Sequence, residues 1–368
     1  MFPKLKFTKE QIEDYYSKVT PDMARTSLAA DRPTYFDLLN LLSPAAAQPE
    51  FREALRETAM KARRRYYGKT VSIFAPLYIS NTCVNSCRYC DFNITHHAER
   101  KILTLDEIRM ECDAIRKHGI DSLLIVAGED PKHMTVDYLC EVGRMLKDTF
   151  SCLSLEVAPQ EEDAYRKLFE AGYESLICFQ ETYEKDLYKY LHPAGPKSVY
   201  DFRVWTQLRA GKAGFRTLGI AFLLGLAPWR IEAASLGAHA FYLMKECYRS
   251  RIQFAFPRIT PMSGGFQPEH PVNEEDLELM MLVFRIVFPE CGMTVSTRED
   301  PEFRDRIVQT AADNMSAGSR VTPGGYAVLA DKDVAQFTLN DSREPEDIYK
   351  AIHSNGQEVV FKNWDKRI

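Results

Sequence analysis

Apolar and polar positions change their rhythm near residue 70 of this 368-residue chain. Before that point the spacing is helical. Residues 7–16 and 34–42 repeat apolar side chains every three to four positions, and 50–67 (EFREALRETAMKARRRYY) forms a long amphipathic helix. Gly68 follows as its stop, at the position just past a helix end where glycine is favoured.

From residue 71 onward short apolar runs alternate with helical stretches. Strands are expected at 71–79, 122–127, 153–157, 175–179, 215–224, 253–256 and 293–296. Helices are expected at 105–118, 136–147, 161–170, 183–190, 199–210, 231–249 and 273–288. The first of these opens with Thr104 and carries Glu107 three residues on, the pattern of a capping box. Runs such as SLLIVA at 122–127 are apolar without alternation, as strands covered on both faces are. This succession predicts an α/β fold with a parallel sheet. No G-x-G-x-x-G opens the first unit, so a TIM barrel is expected over 71–320 rather than an open dinucleotide-binding sheet. A helical extension (1–70) would precede it and a cap segment (321–368) would follow.

Composition narrows the classes. The chain holds 47 basic and 52 acidic residues, a net charge of −5, and no strongly basic segment, which argues against generic nucleic-acid binding. Its longest apolar stretch, 219–229, is far short of the roughly 20 residues a membrane span needs. The N-terminus lacks the apolar core of a secretory signal, so a cytoplasmic location is expected. Nine cysteines in a reducing compartment then call for ligation, catalysis or simple burial rather than disulfides. Six of them (Cys112, Cys140, Cys152, Cys178, Cys247, Cys291) sit among apolar residues as small hydrophobes.

The other three are clustered. Cys83-Val-Asn-Ser-Cys87-Arg-Tyr-Cys90 follows the first expected strand directly, where a barrel places an active-site loop. Three thiolates on one loop can ligate three irons of a [4Fe–4S] cluster and leave the fourth iron open to a small molecule. The alternative is a zinc-binding interaction protein without turnover, its site completed by His96 or His97.

The C-x-x-x-C-x-x-C loop, with Tyr89 before its last cysteine, resembles the signature of the radical S-adenosylmethionine (SAM) superfamily. Further segments spread along the chain narrow the likeness: Val126-Ala-Gly-Glu-Asp130, Glu156-Val-Ala-Pro159, Gln180-Glu-Thr-Tyr183, Phe256-Pro-Arg258, Val295-Ser-Thr-Arg-Glu299, Ser316-Ala-Gly-Ser319 and Pro323-Gly-Gly-Tyr326. Together they are similar to the aromatic amino acid lyases of the superfamily, most of all to the tyrosine lyases of thiamine thiazole biosynthesis. The likeness runs from about Leu42 to the Asn363-Trp364-Asp365 end. One residue departs from it: Asp91 stands where these relatives usually have glycine, either adding negative charge beside the cluster or pointing into solvent.

The resemblance implies a full (β/α)8 barrel, a [4Fe–4S] cluster on Cys83, Cys87 and Cys90, and SAM on the open iron as source of a 5′-deoxyadenosyl radical. It implies that L-tyrosine is cleaved at Cα–Cβ to 2-iminoacetate (dehydroglycine) and p-cresol, with a tryptophan lyase as the rival within the family. It also implies a flavodoxin or ferredoxin type reductant, and thiazole synthase as the partner that receives the unstable imine. Tyr89, Gly128, Glu129, Glu156, Gln180 and Glu181 are the expected SAM-side residues, Glu129 as acceptor for the methionine ammonium. His192 is a weaker candidate near the ribose. Arg298 and Ser316 are the expected substrate-side residues, since a guanidinium suits an amino acid carboxylate, and Arg258 is expected either to serve SAM or substrate or to pair internally with Glu299. The hydrogenase-maturation lyases of the family carry further cysteines beyond the barrel, whereas the last cysteine here is Cys291.

Overall fold

A computed structural model describes residues 8–96, 99–260, 265–328 and 335–361. His97, part of the cap segment and the Asn363-Trp364-Asp365 end lie outside the described residues.

Four helices come first: α1 (Lys9–Lys18), α2 (Pro21–Leu28), α3 (Tyr35–Leu42) and α4 (Pro49–Tyr67). Threonine caps three of them, Thr8, Thr20 and Thr34 each accepting a backbone N–H of the first turn. Gly68 ends α4 at φ 59°, a backbone state in which a side chain would be strained.

The chain then winds eight parallel strands into a closed ring. They are β1 (Thr70–Ser80), β2 (Ser122–Ala127), β3 (Cys152–Glu156), β4 (Ser175–Ile177), β5 (Thr217–Ile220), β6 (Arg251–Ala255), β7 (Gly292–Val295) and β8 (Asn314–Ser316). Each pairs with the next, and β8 returns to β1 through Ser72↔Asn314, Ile73↔Met315 and Phe74↔Ser316. The helices between them are α5 (Leu105–Arg116), α6 (Val136–Leu146), α7 (Glu162–Glu170), α8 (Lys185–Leu191), α9 (Tyr200–Val204), α10 (Thr206–Ala213), α11 (Trp229–Glu246), α12 (Glu274–Val287) and α13 (Pro301–Thr310). Helix α14 (Pro345–Ser354) and a short strand β9 (Glu358–Val360) complete the described chain. Strand β1 is longer than its neighbours, so β8 meets it at 72–74 while β9 pairs with its exposed start, Thr70↔Glu358.

All seven expected strands exist, and the eighth was missed for a physical reason. Asn314-Met-Ser is three residues long with one apolar side chain, too short for any periodicity to register. The helix expected over 199–210 is in fact two, α9 and α10, broken at Trp205 (φ −96°, ψ 6°). Among the described residues no helix is long and apolar enough to cross a membrane.

The core lies between strands and helices, with Phe254, Phe284 and Phe288 among its largest buried side chains. Inside the ring many side chains are small and polar instead, including Ser72, Ser154, Ser175, Thr294 and Asn314, beside larger ones such as Phe74, Leu124 and Gln253. The barrel axis is therefore open where many such barrels are filled by layers of branched apolar residues.

Candidate active site

Beyond Ser80, at the C-terminal end of β1, the chain forms the cysteine-bearing loop. Arg100 gathers it by donating to the carbonyls of Asn81, Phe92, Asn93 and His96. Asn93 Nδ2 donates to the Cys87 carbonyl at 2.8 Å, and Arg88 N and Ser86 N reach the carbonyls of Leu191 and Ala194 at 3.1 and 3.2 Å. Gly128, just past β2, lets this loop come close: a Cβ there would stand 2.2 Å from the Thr82 carbonyl oxygen and 3.2 Å from Cys83 Cβ. A side chain at 128 would push the cysteine loop away.

Cys83, Cys87 and Cys90 face one cavity of about 290 Å³ at the barrel mouth. Burial pushes the Cys87 thiol up to about 12 and Cys90 up to about 11, so any metal must displace their protons on binding. Among the described residues no three His, Cys, Asp or Glu side chains are grouped tightly enough for a single metal ion. His96 Nδ1 lies 3.7 Å from Asp91 Oδ1, and Asp91 is only 3% exposed, so its carboxylate does not point into solvent. A cluster spreads its thiolates more widely than one ion does, and three inward-facing thiols on a braced loop fit such a cluster.

A buried charged network backs the loop. Arg203, from α9, donates to Glu129 Oε1 at 2.9 Å and lies 3.5 Å from Glu181 Oε1. Lys197 Nζ is 2.7 Å from the same Glu181 oxygen. Asn85, inside the cysteine loop, donates to Glu129 Oε2 at 2.9 Å and approaches Cys83 Sγ at 3.6 Å, while its own oxygen accepts Lys197 N at 2.9 Å. Burial opposes the charge on Glu181, but Lys197 and Arg203 outweigh it and hold the carboxyl below its ordinary value. Glu181 has φ 71°, a left-handed backbone unusual outside glycine; such strain persists where the surroundings enforce it, often at functional sites.

Tyr89 lines the cavity, with Lys197 Nζ 5.6 Å from its ring centroid, and its hydroxyl meets His192 Nε2 at 2.6 Å. His192 Nδ1 lies 2.7 Å from the Tyr188 carbonyl, and burial lowers its pKa to about 3, so it is a neutral brace for Tyr89. It does not line the cavity.

Across the mouth the groups are less paired. Arg298, after β7, lines the cavity with its guanidinium 3.6 Å from the Phe337 ring centroid and Nη1 3.3 Å from the Arg258 carbonyl. Burial, first of all, lowers its pKa. Glu156, the last residue of β3, also faces the cavity, as does Ser316 at the end of β8. Desolvation, with Glu181 second, raises the Glu156 carboxyl to about 7 against the pull of Arg298, Lys197 and Arg203. Gln336 and Phe337 come over the mouth from the C-terminal segment, and Tyr78 Oη donates to Gln336 Oε1 at 2.5 Å.

Two expected site residues are not brought to this cavity. Arg258 is turned to Glu299, with which it forms a two-nitrogen ion pair, and lines a separate cavity behind Arg298. Gln180 is buried outside the lining, its amide N and O both without partners among the described residues. Conversely, Asn85, Lys197, Arg203, Tyr78 and Phe337 went unnoticed in the sequence. Only Asn85 carried a signal, its place between two clustered cysteines; Arg203 looks like any arginine on a helix until α9 turns it inward.

A parallel β/α barrel with this cysteine loop at the end of its first strand defines a radical SAM protein. In agreement, residues 77–235 match the model of the Radical SAM superfamily and 255–358 that of the Biotin and Thiamin Synthesis associated domain. The chain is 37% identical to 2-iminoacetate synthase of Salmonella typhimurium over 330 residues, 89% of this chain and 87% of that protein. With 2-iminoacetate synthase of Escherichia coli it shares 36% over 349 residues, 95% and 92% of the two chains. The crystal structure of HydG, a maturase of the [FeFe]-hydrogenase, superposes with a TM-score of 0.89 at 29% identity, over 96% of this chain and 80% of that one. The chain belongs to the radical SAM superfamily, within the family of the 2-iminoacetate synthases.

Proposed function

We propose that this protein is a tyrosine lyase that breaks the Cα–Cβ bond of L-tyrosine, giving 2-iminoacetate and p-cresol for thiamine thiazole formation. The observation that carries this reading is one cavity lined by three clustered thiols and by a half-buried arginine that pairs with no carboxylate among the described residues. Near-full-length likeness to two 2-iminoacetate synthases supports it. Cys83, Cys87 and Cys90 would hold a [4Fe–4S] cluster with SAM on its open iron, and the pair supplies, when bound, the deoxyadenosyl radical that takes hydrogen from substrate.

The chain's own residues bind, orient and enclose. Glu129, Gly128, Glu181 and Tyr89 form the SAM side, where Arg203 holds both carboxylates in place and Lys197 holds Glu181. Arg298 binds the tyrosine carboxylate through two parallel hydrogen bonds, shared by the Ser316 hydroxyl. Gln336 and Phe337 close the mouth and limit water, which would hydrolyse an imine. A flavodoxin or ferredoxin type protein delivers the electron, and thiazole synthase takes the product before it hydrolyses. Residues 1–70, 71–320 and 321–368 act as helical support, catalytic barrel and cap.

Anaerobic reconstitution with iron and sulfide, followed by SAM, dithionite and either tyrosine or tryptophan, tests the reading. The expected result is brown protein that yields p-cresol from tyrosine. An indole product from tryptophan, or a colourless protein with bound zinc, would replace it.

A further inference from the structure

Of the lining carboxylates that the roles above do not use, Glu299 and Asp313 are paired with Arg258 and Arg285, and Glu156 is not paired with any described residue. Glu156 ends β3, is half-buried with its accessible part facing the cavity, and forms no hydrogen bond or ion pair with any described residue. Its situation differs from that of Glu129 and Glu181, whose oxygens are held by Arg203, Lys197 or Asn85. The charged and titratable groups that act on it are Tyr78 from β1, Glu181 after β4, Lys197, Arg203 from α9 and Arg298 after β7, while Glu129, Cys178 and the three motif cysteines line the same cavity. Two of the three cations are committed to other carboxylates, and Arg298 faces the same space as Glu156.

An amino acid enters as a zwitterion. With its carboxylate on Arg298, its ammonium needs an anionic acceptor, and the chemistry needs that ammonium neutral. Forming C=N as the Cα–Cβ bond breaks requires a nitrogen with its lone pair free.

We propose that Glu156 receives the substrate ammonium and takes its proton, preparing the neutral amine from which hydrogen is removed. This rests on the tyrosine-lyase reading above, and assigns Glu156 to substrate rather than to SAM. In the step an N–H bond breaks heterolytically, the electron pair stays on nitrogen, and an O–H bond forms on the carboxylate. An ion pair becomes a neutral pair with no change in net charge and no external oxidant or reductant. Burial favours the neutral pair, and a carboxyl raised to about 7 is matched to the task.

One mobile proton shared by Glu156 and the bound amine has a signature independent of turnover. At about pH 6 Glu156 already carries a proton, so tyrosine binding must expel one; at about pH 8 it is ionised and binding releases none. Calorimetry of tyrosine binding to the reconstituted holoenzyme with SAM and no reductant, in buffers of different ionisation heat, counts these protons. The expected result is release approaching one proton at the lower pH, absent with 3-(4-hydroxyphenyl)propionate, which lacks the amine, and absent in Glu156→Gln. With reductant, kcat/KM for p-cresol falls as pH drops below about 7 in the wild type. Glu156→Gln loses roughly 10²-fold in kcat with a flattened profile, and Glu156→Asp recovers part of it. Release persisting in Glu156→Gln, or kcat for Gln within threefold of wild type, overturns the assignment while leaving the lyase intact. A wild type that binds no tyrosine and forms no p-cresol removes the lyase reading and this inference with it.

Discussion

The two walls of the cavity are built on opposite plans. On the cysteine side, the charged side chains of the lining answer one another, Arg203 with Glu129 and Glu181 and Lys197 with Glu181, while neutral Asn85 bridges Glu129 to the loop. Across from it, Arg298 rests on an aromatic ring and a backbone carbonyl, and Glu156, although β3 lies between the strands that carry Glu129 and Glu181, rests on nothing among the described residues. The difference is one of task. A wall that must hold a reactive cofactor in one geometry is preorganised by paired charges that cannot relax. A wall that must recognise a zwitterion keeps its charges free, because a cation already satisfied by a carboxylate gains little from a second one. Arg258 shows the converse: paired with Glu299, it has left the cavity.

The sharpest way to break this comparison is at the loop itself. Cys87→Ala is expected to abolish 5′-deoxyadenosine formation and to leave the protein short of iron and sulfide, measured on anaerobically reconstituted material. Next comes Arg203→Met. It leaves Glu129 and Glu181 without their shared cation, and removing one partner of a buried pair costs about 3–5 kcal/mol. A clear fall in Tm and weaker SAM binding should follow; an unchanged Tm would show the cysteine wall to be less dependent on pairing than its geometry says.

On the far wall the effects are smaller and of a different kind. Arg298→Ala removes a charged hydrogen-bonding pair worth about 1.5–3 kcal/mol, so KM for tyrosine should rise roughly 10- to 100-fold while some uncoupled SAM cleavage remains. Equal loss of SAM cleavage and p-cresol would take the carboxylate clamp away from Arg298. Phe337→Ala removes only the ring under the guanidinium, about 0.5–2 kcal/mol, and should raise KM by a few-fold to about thirty-fold. Smallest of all, and back on the cysteine side, Tyr89→Phe loses one hydrogen bond to neutral His192, about 1 kcal/mol, visible as a modest weakening of SAM binding.

How much of this was legible beforehand depended on how local each feature is. Seven strands and the helices between them were readable, because burying a strand on both faces or a helix on one imposes a period on a single stretch of chain. Helices α2, α13 and α14 were missed, although each begins with proline at its first turn, a common helix start. The cysteine loop was readable because all three thiols stand on one short segment.

What the amino-acid order alone determined is the set of features confined to a few consecutive residues: the β-then-α succession, the C-x-x-x-C-x-x-C loop and its place after β1, and the glycine that ends α4. What only the tertiary structure decided is which charges meet. Arg203 lies 74 residues from Glu129, and Phe337 reaches Arg298 from a distant segment, so no local spacing announces either contact. Arg298 and Arg258 look alike as arginines at strand ends, yet one faces the cavity and the other pairs with Glu299. That choice follows from the closure of the ring, which sets where each strand end points, and ring closure is a property of all eight strands together.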